Sequence, residues 1–127
     1  MTINEALEKL KKSKFRSSFH LTKSDREYID KKGLDTIKSH AYDFISKRLA
    51  PKMPDDNRTK LPSGIYDGEQ TPMKGHPVFK AQHACACCCR GCLNKWYNVP
   101  KERELTPTQI DKIVNLLMAW IESEYNK

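Results

Sequence analysis

The sequence predicts a single all-α domain of four or five helices, with a long irregular loop before a cysteine-rich stretch. Apolar residues recur every three to four positions through most of the chain, and helix-start signals precede several of these runs. No segment shows the alternation of apolar and polar residues that is typical of a strand. At 127 residues the chain is long enough for one modest core, so we treat residues 1–127 as one domain.

The N-terminal helical part covers about residues 1–49. Thr2 and Glu5 form a capping box, and the residues that follow place an apolar set on one helical face: Ile3, Ala6, Leu7 and Leu10. Ser24 with Glu27 repeats the capping signal and predicts a short second helix.

A longer helix is predicted from about Leu34 to Leu49, between Gly33 and Pro51. Residues 50–74 then lose the helical periodicity, because prolines and glycines recur through them. We expect this segment to form a long surface loop, either as a lid beside the cysteine-rich stretch or as a tolerated insertion.

The C-terminal helix has the strongest signals in the chain. Thr106 is predicted as its N-cap, Pro107 as its first residue and Gln109 as the partner that completes a capping box. An apolar stripe follows at helical spacing: Ile110, Ile113, Val114, Leu117, Trp120 and Ile121. We expect this helix to be core. Together with the cysteine-rich stretch it covers about residues 75–125.

The charge of the chain favours acidic partners. Lys and Arg outnumber Asp and Glu by 23 to 16, which gives a net charge of +7 and a pI near 9.2. The excess is concentrated near the N-terminus and around the cysteine-rich stretch, and it predicts contacts with nucleic acid or another anion through Arg16, Lys74, Arg90, Lys95 and Arg103. A solvated basic face would explain the same residues, and no nucleic-acid-reading motif is present.

The cysteines indicate reduced thiols. The sequence shows no signal peptide and no membrane-spanning run, so we expect a cytoplasmic protein. All five cysteines lie between Cys85 and Cys92, and such crowding argues against a disulfide scaffold. They fall inside the stretch from Gly75 to Trp96, which has the most unusual composition of the chain.

Three interpretations of this stretch are open. If Pro77 to Trp96 formed one continuous helix, His83 would point to one side and four buried, core-forming thiols to the other: Cys85, Cys88, Cys89 and Cys92. In a second interpretation, Arg90 and Lys95 lower the pKa of one nucleophilic or redox-active thiol. Five neighbouring thiols would, however, favour scrambling.

The third interpretation is a metal site, which requires a break in the helix near Ala84. Cys89-x-x-Cys92 has the spacing of a zinc-binding pair, and Cys88 lies one turn before Cys92. Two histidines lie upstream within reach, which gives a candidate ligand set of His76, His83, Cys88, Cys89 and Cys92. Thiolate and imidazole ligands together favour zinc over calcium or magnesium.

Several strings of this sequence resemble a family of small bacterial proteins known only as a domain of unknown function: FRSSFHL, DFISKRLAP, QTPMKGHPVFKAQHA, CCRGCLNKW and VPKERELT. The resemblance runs from about Phe15 to Ile121 and is most specific in the pattern GHPVF-x-AQHA…CCRGCL-x-KW. It implies shared residues at His76, His83, Cys88, Cys89, Arg90, Gly91, Cys92 and Trp96. It also implies small polar residues in relatives at Cys85 and Cys87, which argues against these two as ligands, and histidine at Tyr97. The family brings no established activity.

Together these features predict a small zinc-binding helical protein that associates with nucleic acid or with a partner that handles nucleic acid. A metal-dependent, hydrolase-like enzyme is the alternative. It would need three protein ligands, an open metal position and a nearby acid or base. A structural helical domain with a buried thiol cluster is the third hypothesis. The residues specify no substrate.

Overall fold

The structure is a computed structural model that describes residues 1–52 and 70–127. All regular structure in these two ranges is helical, and the α-helices are α1 (Ile3–Lys11), α2 (Lys23–Lys32), α3 (Leu34–Phe44), α4 (Pro77–Ala84), α5 (Arg90–Tyr97) and α6 (Pro107–Tyr125). The all-α prediction is confirmed, with six α-helices in the described ranges instead of four or five. Most of the loop predicted at 50–74 lies outside the described residues, so its conformation stays a prediction.

The first two helices begin with reciprocal capping. Thr2 and Glu5 form the predicted box at α1. At α2 the box is formed by Thr22 and Asp25, not by Ser24 and Glu27. The Thr22 hydroxyl accepts from the Asp25 backbone N–H at 3.1 Å, and the Asp25 carboxylate accepts from the Thr22 N–H at 2.9 Å. The helix therefore starts two residues closer to the short 3₁₀ helix Arg16–Ser18 than the sequence pattern indicates.

The third predicted helix is present but changes its geometry. Helix α3 continues without interruption into a π-helical turn, Ile45–Leu49, in which the Ala50 N–H donates to the Ile45 carbonyl at 2.8 Å. The helical segment thus ends where the sequence predicts, just before Pro51. Insertions of this kind widen the helix locally and shift the register of the residues that follow.

The cysteine-rich stretch is not one continuous helix. Helix α4 ends at Ala84, and α5 begins only at Arg90. Between them Ala86 adopts a left-handed conformation with φ of 57°, which a right-handed helix does not accommodate. The break required by the metal interpretation is therefore present, and the continuous-helix interpretation is wrong.

The core is built around α6. This helix begins as predicted, with Thr106 and Gln109 in a capping box and Pro107 in its first turn. It packs against α1, α3 and α4. Fully buried apolar residues fill the contacts: Ile37, Ala41, Ile45, Leu49, Val78, Ala81, Val114, Leu117 and Ile121. Burial of one large aliphatic side chain contributes about 1.5–3 kcal/mol, so these contacts fix α4 and hold the cysteine-rich turn in place.

Within the residues that the structure describes, no helix combines the length and the apolar character needed to cross a bilayer.

Candidate metal centre

Three cysteine sulfurs converge at the N-terminus of α5. Cys88, Cys89 and Cys92 place their Sγ atoms within 4.8 Å of one another. Cys89 is the N-cap, and its sulfur accepts from the Cys92 backbone N–H at 3.3 Å. The Cys88 and Cys92 sulfurs are 3.6 Å apart. Tetrahedral zinc with Zn–S bonds of about 2.3 Å separates its sulfur ligands by roughly 3.8 Å, so the spacing of this pair fits zinc without rearrangement.

Arg16 reaches the same sulfurs from the 3₁₀ helix near the N-terminus. Its Nη2 donates to Cys92 Sγ at 3.2 Å, and its Nη1 donates to Cys88 Sγ at 3.5 Å. The Nη1 atom also donates to the His83 backbone carbonyl at 2.7 Å. The arginine is only 8% exposed, so its charge acts on the thiols with little screening by water.

The thiols differ in acidity because of these contacts. Hydrogen bonds from Cys88 and Cys89, and then the charge and hydrogen bond of Arg16, lower the pKa of the Cys92 thiol. Hydrogen bonds with Cys88 and Cys92 instead raise the pKa of Cys89. Burial alone would lower the pKa of the Arg16 guanidinium. The hydrogen bonds of Arg16 to Cys88 and Cys92 outweigh burial, so the pKa is raised. The charge of Arg16 therefore favours the thiolate form of the sulfurs that it contacts.

The other two cysteines belong to the core. Cys85 and Cys87 have no solvent exposure, and burial raises the pKa of both thiols. They pack with the apolar residues of the domain, as small hydrophobic side chains do. Of the four thiols that the buried-thiol interpretation assigns to the core, Cys85 lies in the core cluster, together with Cys87, which that interpretation does not include. The three sulfurs at α5 form a separate group.

His83 is linked to the sulfurs through its backbone carbonyl, which accepts from the same Arg16 Nη1 that donates to Cys88 Sγ. Its Nε2 faces the carbonyls of Thr71 and Pro72 at 3.2 and 3.1 Å. The ring is stacked on Phe19 with a centroid distance of 5.5 Å. Because Nε2 faces two acceptors, the neutral ring carries its proton there and leaves Nδ1 as the acceptor. The ring nitrogens do not lie within the three-sulfur group.

His76 lies at the start of α4, apart from the sulfurs. Its Nδ1 accepts from the Val78 backbone N–H at 3.0 Å, and its Nε2 lies 3.0 Å from Nδ1 of His40. Burial, with the nearby His40, lowers the pKa of His76 to about 4. The aromatic rings of Tyr28 and Phe44 pack edge-on against it. In this structure His76 is a helix cap paired with His40, and its role as a ligand stays a prediction.

A hydrogen-bond network supports the turn that carries the sulfurs. Thr71 Oγ1 donates to the Cys88 carbonyl at 2.7 Å, and Gln82 Nε2 donates to Thr71 Oγ1 at 3.0 Å and to the Cys87 carbonyl at 3.2 Å. Both side chains are buried. Sequence reasoning missed them because neither belongs to a metal-ligand or periodic pattern.

The five predicted anion contacts divide into buried and exposed residues. Arg90 is fully buried, and its guanidinium donates to backbone carbonyls on both flanks, including Pro51 at 2.9 Å and Arg103 at 2.6 Å. Arg16 is bound to the sulfurs. Both arginines are therefore interior groups rather than parts of a solvated basic face. Only Lys74, Lys95 and Arg103 present exposed side chains.

Comparison with known proteins gives a family but no activity. No solved structure matches the chain. The model of one family, a domain of unknown function (DUF4186), matches residues 4–122. This range includes Arg16, the three converging cysteines and all six helices except the ends of α1 and α6. The chain therefore belongs to the family of the domain of unknown function DUF4186.

Proposed function

We propose that this protein is a small zinc-binding helical protein whose ion is held by Cys88, Cys89 and Cys92. The observation that carries the proposal is the convergence of three sulfurs at one helix N-terminus, two of them at the separation that zinc would impose. A purely apolar thiol cluster would not require a buried arginine beside two of the sulfurs. Thiolate ligands also favour zinc over harder cations.

Charge balance supports the same assignment. Three thiolates around one Zn²⁺ carry one excess negative charge, and an unpaired buried charge is unfavourable. Arg16 supplies one positive charge at hydrogen-bond distance from two of the sulfurs. The arginine and the ion would together neutralise the three thiolates, so the buried centre would carry no net charge.

The site favours a binding role over catalysis. Three thiols leave the fourth position of a tetrahedral ion for water or for another group, which an enzyme could use. A hydrolase would also need an acid or base at that position. Among the described residues, no carboxylate or imidazole joins the three sulfurs within 4.8 Å. We take His83 as the candidate for the fourth ligand, because its carbonyl shares the Arg16 guanidinium with the sulfurs and its Nδ1 is left as an acceptor when Nε2–H faces Thr71 and Pro72.

Association with nucleic acid or another acidic partner remains part of the proposal. It now rests on exposed Lys74, Lys95 and Arg103, since Arg16 and Arg90 are interior. Replacement of all three by Gln should weaken binding to single-stranded DNA and RNA and reduce its salt dependence. Absence of binding at low salt would remove the nucleic-acid half of the proposal and leave the metal site untouched.

Elemental analysis of purified, untagged protein tests the metal site. We expect about one zinc per chain, and loss of most of it in the variants Cys88→Ala, Cys89→Ala and Cys92→Ala. Cys85→Ala is the matched control, because that thiol lies in the core, and it should keep the metal. Metal-free wild-type protein with unchanged stability in chelator would overturn the proposal. Equal metal loss in Cys85→Ala would show that the metal is not bound by these three sulfurs alone.

A further inference from the structure

A separate cavity of about 720 Å³ lies between α1, α5 and α6. Its volume falls within the range of pockets that bind small molecules. The three converging sulfurs do not line it, and the only cysteine in its wall is the core residue Cys87. The cavity is therefore independent of the candidate metal centre and of the function proposed for it.

The wall of the cavity is mostly apolar and comes from all three helices. Ala6 from α1, Leu93 and Trp96 from α5, and Ile113 and Leu116 from α6 line it. Ala6, Leu93, Ile113 and Leu116 are otherwise well buried. A surface of this kind accommodates an aliphatic or aromatic group, and the transfer of that group from water to the cavity is favourable.

The charged groups around the cavity have one sign. Lys9 and Lys112 line it, and no Asp or Glu does so in the described part of the chain. Neither lysine forms an ion pair with a described carboxylate. The Lys9 ammonium lies 5.2 Å from the centroid of Trp96, so one cation is held directly beside the aromatic wall. An apolar cavity with two unpaired cations and no acid complements a negatively charged ligand.

We propose that this cavity binds an amphipathic anion, a small molecule with an apolar body and one carboxylate, phosphate or sulfonate group. The body packs against Trp96, Leu93 and Leu116, and the anionic group lies between Lys9 and Lys112. The amide side chains of Gln109 and Asn115, which also line the cavity, offer hydrogen bonds to the same polar end.

Ligand displacement tests the proposal on the full chain. Anilinonaphthalene sulfonate has an apolar body and one anionic group, and its fluorescence should rise on binding and report competition by dodecanoate and dodecyl phosphate. The double variant Lys9→Gln/Lys112→Gln should bind both competitors roughly tenfold more weakly. The double variant Lys31→Gln/Lys38→Gln makes the same charge change at exposed positions on α2 and α3 and should leave the affinity unchanged.

Three results would overturn the proposal. One is equal affinity for dodecanoate and dodecanol, which would show that the lysines recognise no charge. Another is equal weakening in the control variant, which would show that net charge, not this cavity, attracts the anion. The third is the absence of any binding of the fluorescent probe or of dodecanoate. Circular dichroism that matches wild type in both double variants shows that none of these results reflects unfolding, since all four lysines are exposed.

Discussion

Arg16 links the N-terminal part of the chain to the cysteine-rich turn. It lies on a 3₁₀ helix near the N-terminus, yet its guanidinium contacts the sulfurs of Cys88 and Cys92. If these sulfurs bind zinc as thiolates, the arginine acts as a hydrogen-bond donor that stabilises their charge from outside the ligand set. Such partners change metal affinity without touching the ion.

Replacement of Arg16 by Gln should therefore weaken zinc binding while all three cysteines remain. The expected loss is about 10–100-fold in affinity, the range found for groups that support metal ligands. Competition with a chromophoric chelator would measure it. Lys14→Gln removes an exposed charge two residues away and should have no effect. Unchanged affinity in Arg16→Gln would show that the arginine is only a packing group.

His76 should make the stability of the domain depend on pH. Its folded-state pKa is lowered to about 4, below the value of about 6.5 in an unfolded chain. In this pH range the unfolded state binds a proton that the folded state does not. The free energy of unfolding therefore falls as pH falls from about 6.5 to about 4. Below about pH 4, His76 lowers the free energy of unfolding no further. Allowing for solvent screening, we expect a loss of roughly 1–2 kcal/mol.

Denaturant titrations at several pH values, on wild type and His76→Asn, would isolate this contribution. Asn can still accept the helix-capping bond from the Val78 backbone N–H, but it does not titrate. The difference in stability between the two proteins should narrow as pH falls through the window. A constant difference between pH 7 and 4 would contradict the assignment and place the acid sensitivity elsewhere.

At the site, sequence reasoning could identify residues that are close in the chain but not their distant neighbours. The Cys-x-x-Cys spacing pointed to Cys89 and Cys92, and the turn before them to Cys88; all three converge in the structure. The contacts of Arg16 and Thr71 with this group depend on tertiary packing, which no local pattern encodes. The same packing, rather than spacing, pairs His76 with His40.

The helices show which local sequence signals are sufficient to predict where a helix begins or ends. The capping boxes at α1 and α6 lie where the sequence placed them, because reciprocal side-chain bonds there have no close competitor. At α2 two candidate boxes overlap, and Thr22 is used instead of Ser24. The sequence does not decide between a continuous helix and a break between α4 and α5, because Ala and Cys carry no strong stop signal. It is produced by the left-handed Ala86 and by the cap that Cys89 forms.

Removal of the α6 cap should measure how much this helix contributes to the stability of the fold. In Thr106→Ala the hydroxyl that accepts from the Gln109 backbone N–H at 3.1 Å is lost, which typically costs about 1 kcal/mol. Thr106→Ser keeps the acceptor and should stay close to wild type. Urea titration would compare the three proteins. Because residue 106 is exposed, a loss as large in Ser as in Ala would point to the methyl group rather than the cap.

For the molecule as a whole, Arg90 joins segments that are far apart. Its guanidinium donates to carbonyls of Leu49, Ala50 and Pro51 on one side and of Pro100 and Arg103 on the other. These carbonyls lie at the end of the N-terminal helices and before α6. The Ala50 carbonyl also accepts from the Leu105 backbone N–H, but without the guanidinium the other acceptors on both sides lose this donor, and each buried acceptor left unpaired costs about 1–3 kcal/mol.

Arg90→Met should therefore be among the most destabilising substitutions in the chain, at roughly 3–5 kcal/mol. Thermal and denaturant unfolding would measure it. Arg90→Lys should recover only part of the loss, because one ammonium does not reproduce the fork of the guanidinium. Arg103→Gln, at an exposed side chain, should change stability by no more than about 0.5 kcal/mol. Wild-type stability in Arg90→Met would contradict this role.

The positions of the three proposed sulfur ligands along the chain have a consequence for the order of events in folding. Cys88, Cys89 and Cys92 lie within five consecutive residues, so the loop that a bound metal would close around them is short and its entropy cost is small. Arg16 must instead be brought across a separation of 76 residues. The unfolded chain should therefore already capture zinc, and only the affinity gained on folding, largely through Arg16, should add to the stability of the native state. Tight binding and a small thermal shift on metal removal would then occur together.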